Sequence, residues 1–435
     1  MKVAVSFYAK WLSGESDVFV GFQEGDFVFD GWWDLWRGSI PKELGWHLMK
    51  AEVMVPVFLH GETVLRLRIG LPYAAGPYAK RNAKYLLDDV SMEVIEAGHA
   101  SVKPKRAVVH SFDKDDARDE ASRYGVYWTP WKRWGMASIA EPRQYDKTKE
   151  EIINELDLME RIGIKWIRSL WRWDKVEWEK GNYDFALLDY VVAEAWKRGI
   201  RFVPCLATPP RWASTAPESA PDFRAYPPKR EAWANFVQRM VDHFKDKIKY
   251  WEIWNEPNLP NYWIGTALDY YELVKAASTS AKRADPRCKI LMGGFAWTGR
   301  EYVTNLLKLG AKDHFDILSC HPYPGKRGAD RVNFMTRSLR LVLAQHNCEY
   351  KPIWFTEIGW SVREAGDFAR QAKLLTDLYS YPLDEAVGKI FWFCFDNWYE
   401  SPGRHYSGLI STYGGKTELH DAYRAYGKAT GKLIE

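Results

Sequence analysis

The chain has 435 residues, which exceeds one typical domain, although a barrel alone can run past about 250 residues. Its formal net charge is +4, with both signs spread along the chain, and this excludes a protein that binds nucleic acid or an anionic membrane mainly through charge. The five cysteines form an odd set without metal-ligand spacing, so the sequence predicts neither a disulfide framework nor a zinc site.

The N-terminal stretch Met1–Trp11 alternates between apolar and polar residues and predicts a strand rather than a signal peptide. No run approaches transmembrane length, so we expect a soluble chain without a membrane partner. Secretion and a cytoplasmic location both stay open, and the sequence does not indicate an oligomeric state. Sparse glutamine beside plentiful Lys, Arg and Glu hints at a thermophilic source.

Residues 1–105 are predicted to form an all-β sandwich, because short alternating runs are separated by Gly, Asp and Pro. The predicted strands are Val3–Trp11, Val18–Gln23, His47–Phe58, Thr63–Ile69 and Lys84–Glu96. The run Tyr85–Met92 resembles the last strand of jelly-roll carbohydrate-binding modules. The resemblance implies a calcium ligand at Asp88 or Asp89. Trp32, Trp33 and Trp36 form either a sugar platform or packing against the second domain.

Residues 106–123 are charged and lack periodicity, which predicts a linker. From residue 124 to 435, strand and helix patterns alternate, as in a parallel α/β domain. The predicted strands are Gly135–Ala140, Trp166–Trp173, Phe202–Thr208, Tyr250–Glu256, Lys289–Phe295, Ile317–Tyr323, Ile353–Gly359 and Ile390–Asn397. Amphipathic helices between them, the first at Lys149–Arg161, complete a predicted (β/α)₈ TIM barrel whose site lies at the C-terminal rim of the strands.

Two predicted barrel strands end in a glutamate. Glu256 follows the aromatic fourth strand just before Pro257, and Glu357 ends the seventh strand just before Gly359. A carboxylate at the end of a buried strand is costly unless it is paired or takes part in chemistry. Cleavage of a glycosidic bond needs a proton donor and a second carboxylate facing the anomeric carbon, which these two glutamates supply. The alternative is two rim glutamates in salt bridges.

The motifs Trp254–Pro257 and Thr356–Trp360 resemble those of the large clan of retaining glycosidases built on this barrel. The resemblance implies that Glu256 is the acid/base, that Glu357 is the nucleophile, and that Asn255 contacts the sugar 2-hydroxyl. It requires no metal and no cofactor.

Other positions carry the same resemblance. Arg168 matches an arginine near the nucleophile and would keep Glu357 ionised, and Tyr323 in the His321–Tyr323 motif would hydrogen-bond Glu357. Trp392 matches the platform under the bound sugar. The high tryptophan content suits contact with flat sugar rings, and further predicted rim residues of this kind are Trp173, Trp360 and Trp398, with Trp171, Trp212 and Trp263 as others.

Within the clan, the fourth-strand and sixth-strand motifs resemble family 39 most, a family that includes β-xylosidases and related exo-glycosidases. The leading β-domain and the many tryptophans instead suit endo-acting cleavage of β-glucan or a related plant polymer, as in family 5-like endoglucanases. We therefore expect a retaining glycoside hydrolase with a polysaccharide or oligosaccharide substrate, endo-acting by preference, with exo-β-glycosidase action as the alternative. A non-catalytic carbohydrate-binding protein is the hypothesis from a different class.

Overall fold

The computed structural model divides the chain into two compact units, Met1–Lys105 and Arg106–Glu435. In the first unit it describes the backbone of six strands. In the second it describes residues 122–131, 147–220, 222–325, 328–362, 367–384, 386–397, 407–413 and 416–432. None of the described helices is long and apolar enough to cross a membrane.

The described part of the first unit consists of two antiparallel three-stranded sheets. Their strands are Lys2–Gly14, Asp17–Glu24, Trp33–Ser39, His47–Met54, Leu65–Gly70 and Ala83–Glu96. One sheet has Lys2–Gly14 at its centre and the other has Asp17–Glu24 at its centre. The strand Trp33–Ser39 was not predicted, because Asp, Arg and Gly interrupt its apolar pattern. The jelly-roll arrangement stays a prediction, as do the calcium ligands Asp88 and Asp89, whose side chains lie outside the described residues.

The second unit contains a closed barrel of eight parallel strands. In chain order they are Tyr124–Tyr127, Trp166–Arg172, Arg201–Ala207, Tyr250–Ile253, Lys289–Ala296, Ile317–His321, Ile353–Ile358 and Val387–Trp392. Below they are called the first to the eighth barrel strand. Three short strands, Asp396–Asn397, Ile410–Tyr413 and Lys416–Leu419, form a small additional sheet.

Helices alternate with the barrel strands, as the periodicity predicts. They are Lys149–Arg161, Trp173–Val176, Ala186–Lys197, Arg230–Phe244, Ala267–Ala284, Arg300–Lys308, Ala329–Gln345, Phe368–Ser380 and Asp421–Ala429. Thr148 and Thr266 begin two of them with capping boxes, in which each threonine side chain and an acidic residue three positions later pair with backbone N–H groups. The predicted (β/α)₈ barrel is therefore confirmed.

The first barrel strand lies earlier than predicted. The structure places it at Tyr124–Tyr127, whereas the sequence pattern predicted Gly135–Ala140, which lies outside the described residues. The observed strand is only four residues long, and its tyrosines and glycine give little apolar pattern. Its position is set by its neighbours, because it pairs with both the second and the eighth strands and so closes the barrel.

The interior of the barrel contains a layer of apolar side chains from seven of its strands. They are Trp166, Val203, Tyr250, Leu291, Ile317, Trp354 and Phe391, all of them buried. Lys389 places its ammonium 4.1 Å from the ring centre of Trp166. This layer makes the interior a packed core rather than a pore, so polar chemistry is confined to the levels above it, toward the C-terminal rim.

Candidate active site

The fourth strand ends in an unusual backbone that presents Glu256. Trp254 and Glu256 have φ values of 69° and 47°, in the left-handed region that non-glycine residues rarely adopt. The surrounding structure fixes this conformation. Trp254 N–H donates to Leu206 O of the third strand at 3.0 Å, and Glu256 N–H donates to Gly294 O of the fifth strand at 3.0 Å. Strain of this kind, held by neighbouring strands, concentrates at functional sites.

The two predicted glutamates meet around His321. One oxygen of Glu256, one of Glu357 and one ring nitrogen of His321 all lie within 4.8 Å of one another. His321 Nδ1 is 2.9 Å from Glu256 Oε1 and 3.6 Å from Glu357 Oε2. The structure therefore brings the fourth-strand and seventh-strand carboxylates together at one point of the rim, with the imidazole of the sixth strand between them.

Glu357 is held by two donors that the sequence analysis singled out. Arg168 Nη1 donates to its Oε1, and the Tyr323 hydroxyl donates to its Oε2 at 3.0 Å. Burial and the negative charge of Glu357 raise the pKa of Tyr323 well above its usual value, so this phenol keeps its proton. Both oxygens of the buried Glu357 carboxyl group are thus hydrogen-bonded, one of them by a charged donor.

Glu252 was missed by the sequence analysis and belongs to the same cluster. Its side chain is fully buried, and its Oε2 accepts a hydrogen bond from Arg168 Nε at 2.6 Å. Arg168 Nη2 donates in addition to Asn255 Oδ1 at 2.8 Å. The alternation of side chains along the strand could have identified it. Glu252 lies two residues after Tyr250 and therefore also points into the barrel, where a buried charge requires an oppositely charged or hydrogen-bonding partner.

Glu256, His321 and Glu357 also have the spacing of a three-ligand cation site. The guanidinium of Arg168, in contact with Glu357, opposes a second cation at this position. The two oxygens of Glu357 are also already hydrogen-bonded to Arg168 and Tyr323. We therefore assign no metal to these residues.

Most of the predicted aromatic platforms do not line this site. Trp392 and Trp173 are fully buried and Trp360 nearly so. Trp392 packs against Trp360 at 5.7 Å between ring centres, and Trp173 stacks on Phe236 at 4.6 Å. Their rings are covered by protein in the structure, and the sugar-contact role of these three tryptophans stays a prediction. Trp171 and Trp263 are buried as well, Trp212 is half-buried, and Trp398 lies outside the described residues.

Two other aromatic residues occupy the rim instead. Phe393, next to Trp392, is half-buried and lies 6.4 Å from Tyr323 and 5.0 Å from Tyr127 between ring centres. A cis peptide bond follows it, between Phe393 and Cys394. Trp297 comes directly after the fifth strand, has a φ of 53° and is 58% exposed. Neither residue was predicted.

The comparisons with known proteins identify a family for this chain. The model of glycosyl hydrolases family 39 matches residues 117–342. The chain is 24% identical over 243 residues to a beta-xylosidase of Caldicellulosiruptor saccharolyticus, covering 48% of this chain and 49% of the relative. It is 26% identical over 204 residues to a beta-xylosidase of Geobacillus stearothermophilus, covering 41% of this chain and 40% of the relative. The chain thus spans about half or less of the length of these relatives.

Solved structures show the same fold. A family 39 glycoside hydrolase from Bacteroides cellulosilyticus WH2 superposes with a TM-score of 0.59 at 18% identity, covering 97% of this chain and 78% of that chain. A monomeric beta-xylosidase from Caulobacter crescentus CB15 gives 0.55 at 17% identity, covering 70% of this chain and 67% of that one. Because the family model spans more than half of its residues, the chain belongs to glycosyl hydrolases family 39.

Proposed function

We propose that the protein is a retaining β-glycosidase that removes single sugars from the ends of its substrates, with β-xylosides as the first candidates. The observation that carries this proposal is the meeting of Glu256 and Glu357, with carboxylate oxygens within 4.8 Å. Carboxyl groups about 5–5.5 Å apart fit direct attack by one of them and leave no room for the water that an inverting enzyme needs between them.

In the proposed reaction Glu357 attacks the anomeric carbon while the bond to the leaving oxygen breaks. Glu256 gives its proton to that oxygen, and a glycosyl ester forms on Glu357. Glu256, now a carboxylate, removes a proton from water, and the resulting nucleophile displaces Glu357 and releases the sugar. Arg168 and Tyr323 fix the attacking carboxylate, and we assign Asn255 to the sugar 2-hydroxyl. Phe393 takes the platform role that the resemblance gave to Trp392.

Exo action is preferred over the endo action expected from composition. The two curated relatives with broad matches are both beta-xylosidases, and the tryptophans that suggested a long sugar-binding cleft are largely buried. One observation favours the endo alternative. The exposed Trp297 directly follows the fifth barrel strand, whose Gly294 carbonyl accepts a hydrogen bond from the N–H of Glu256, the proposed proton donor.

Hydrolysis of aryl β-xylosides and of xylo-oligosaccharides, followed by ¹H NMR of the first-formed anomer, tests this function. We expect the β-anomer first and xylose as the only early product.

Glu357→Ala should lose activity on all substrates. Glu256→Ala should retain more on dinitrophenyl glycosides, which need no proton donor. Asn305→Ala on an exposed helix surface serves as the control. Oligosaccharide products would establish endo action, and binding without hydrolysis would establish a non-catalytic protein.

For residues 1–105 we propose a carbohydrate-binding sandwich. The described strands, which all lie in antiparallel sheets, support an all-β unit, and Trp33 and Trp36 lie in one of them. A Trp33→Ala, Trp36→Ala double variant should lose retention on insoluble xylan or cellulose while its rate on aryl glycosides stays unchanged. Equal retention of the double variant and the unmodified protein would remove the binding role.

A further inference from the structure

Glu252 is a fully buried carboxylate beneath the Glu256–Glu357 pair, and the proposed mechanism gives it no part. It points into the barrel, whereas its strand neighbours Trp251 and Ile253 pack outward against the helices. Withdrawing a carboxylate from water costs several kcal/mol even after the protein relaxes around it. An uncharged residue of similar shape would avoid that cost, so the charge itself calls for an explanation.

Arg168 connects Glu252 to the reacting pair. Its Nε donates to Glu252 at 2.6 Å, its Nη1 donates to Glu357, and its Nη2 donates to Asn255. The guanidinium is planar and carries one positive charge, so fixing Nε also fixes where the other two nitrogens point. Because Glu252 shares that single charge with Glu357, it limits how strongly the cation acts on the nucleophile.

His321 provides a second connection. A Cβ on Gly294 would lie 3.1 Å from His321 Nε2, 3.2 Å from Glu252 Oε1 and 3.3 Å from Arg168 Nη2. Glu252 and the far side of the His321 ring therefore face the same narrow space, which only a glycine leaves free. The other ring nitrogen of His321 is 2.9 Å from Glu256. Glu252 thus lies next to Arg168 and His321, two of the groups that contact the reacting glutamates.

We propose that Glu252 is a positioning residue whose negative charge, acting through Arg168 and His321, sets the pH range in which Glu357 is ionised and Glu256 is protonated. This inference rests on the proposed glycosidase function. It assigns to the buried carboxylate a role in tuning the reaction, in addition to its structural contact with Arg168.

The remaining groups around Glu252 carry no competing charge. The titratable side chains that face it from the neighbouring strands and the outer helix are Arg168, Cys205, Tyr270, His321 and Cys320, and Glu357 contacts the same Arg168. Burial raises the pKa of both thiols and of the Tyr270 phenol, so all three stay neutral. Burial would also raise the pKa of Glu252, but Arg168 and His321 outweigh burial and lower it, so Glu252 is ionised at neutral pH.

Glu252→Gln removes this charge and keeps the shape of the side chain. Without it, the full charge of Arg168 favours the deprotonated forms of both reacting carboxylates. We therefore expect the acidic and the alkaline limbs of the kcat/KM profile to move to lower pH by about one unit or more. Glu252→Asp, which keeps the charge, should lower kcat yet leave the profile within about 0.3 units.

Asp285→Asn is the matched control. Asp285 is also a buried carboxylate, and it pairs at 3.1 Å with Lys249, the residue just before the fourth barrel strand. Loss of its charge should leave the pH profile of kcat/KM unchanged. A folded and active Glu252→Gln enzyme whose profile coincides with that of the unmodified protein would overturn the inference.

Neutron diffraction of the unmodified protein at neutral pH gives an independent test if the Gln variant does not fold. We expect no deuteron on the Glu252 carboxyl group, and finding one there would overturn the inference. If the unmodified protein hydrolyses no glycoside, the proposed function fails. The neutron result would still decide whether Glu252 carries the charge on which the inference depends.

Discussion

At the scale of single residues, the orientation of Glu357 is set by the two donors that contact its carboxyl oxygens. Arg168 supplies a charged donor on one oxygen, and Tyr323 supplies a neutral donor on the other at 3.0 Å. Since the negative charge of Glu357 helps to raise the pKa of Tyr323, the phenol stays a donor over the whole range in which a glycosidase works. The two contacts hold the attacking carboxylate in one orientation.

Tyr323→Phe tests this orientation. The variant loses one hydrogen bond to a charged group, which is worth about 1.5–3 kcal/mol, and kcat should therefore fall roughly 10- to 100-fold. Tyr302→Phe, which removes another partly buried phenol hydroxyl from an outer helix, should retain full activity. Steady-state rates on an aryl glycoside give the comparison, and a kcat within about twofold of the unmodified enzyme would contradict the role of Tyr323.

Phe393 and Glu252 were missed for the same reason. Phe391, Trp392 and Phe393 are consecutive aromatic residues at the end of the eighth barrel strand, along which side chains point alternately to the two faces. Trp392 therefore packs on the outer face of the barrel, whereas Phe391 and Phe393 point toward the interior. A motif identifies the stretch but not its phase. The same alternation carries Glu252 inward, where the sequence shows only one charge in an apolar strand.

At the scale of elements, the Glu256 segment depends on the fifth barrel strand. The side chain of Asn258 donates to Ala296 O at 3.2 Å and accepts from Ala296 N–H at 2.9 Å, immediately before Trp297. Together with the backbone contact between Glu256 and Gly294, these bonds hold two left-handed residues in place.

Asn258→Ala should therefore weaken both stability and catalysis. It leaves the buried N–H of Ala296 without its side-chain acceptor, at a cost of about 1–3 kcal/mol in the free energy of unfolding, while the Ala296 carbonyl keeps the backbone N–H of Gly299 as a donor. It also loosens Glu256, so kcat should fall. Urea denaturation and steady-state kinetics measure the two effects, with Asn305→Ala expected within about 0.5 kcal/mol of the unmodified protein. Unchanged stability would show that the hydrogen bonds between Asn258 and Ala296 are dispensable.

A capping box offers a second test at this scale. Thr148 accepts from Glu151 N–H at 3.2 Å, and Glu151 accepts from Thr148 N–H at 2.7 Å, at the start of helix Lys149–Arg161. Thr148→Ala should lower the free energy of unfolding by about 1 kcal/mol, and Thr148→Ser should restore most of it. Equal stability of the Ala and Ser variants would mean that the hydroxyl does not cap the helix.

At the scale of the whole molecule, acid stability should depend on a buried histidine. Burial is the main cause that lowers the pKa of His420 from its usual 6.5, against a smaller opposing effect of the Gly408 carbonyl. Below pH 6.5 this histidine therefore binds a proton more readily in the unfolded chain than in the folded protein. Stability from this group is present above that pH and is lost as pH falls through the folded-state pKa.

Comparing unfolding at neutral pH and near pH 5 measures this effect. We expect His420→Asn to reduce the loss of stability between the two conditions. A residual loss should remain, because burial also lowers the pKa of His314 and His346. An identical pH dependence in the variant and the unmodified protein would show that His420 does not contribute.

Much of the barrel could be predicted from periodicity, because its helices are long and amphipathic and its strands are strongly apolar. The first strand could not, since four weakly patterned residues owe their position to pairing on both sides. The glutamate pair was predictable because strand ends converge at one rim. Which aromatic side chains are exposed at the rim could not be predicted, because burial depends on packing between elements that are distant in the sequence.

Trapping the glycosyl-enzyme tests the assignment of Glu256 and Glu357 most directly. A 2-deoxy-2-fluoro-β-xyloside with a good leaving group slows both steps, and the ester should accumulate. Mass spectrometry of the digested protein should then find the sugar on the peptide that contains Glu357, and Glu256→Ala should still form it. An adduct on any other residue, or hydrolysis that releases the inverted anomer with no adduct, would contradict the assignment.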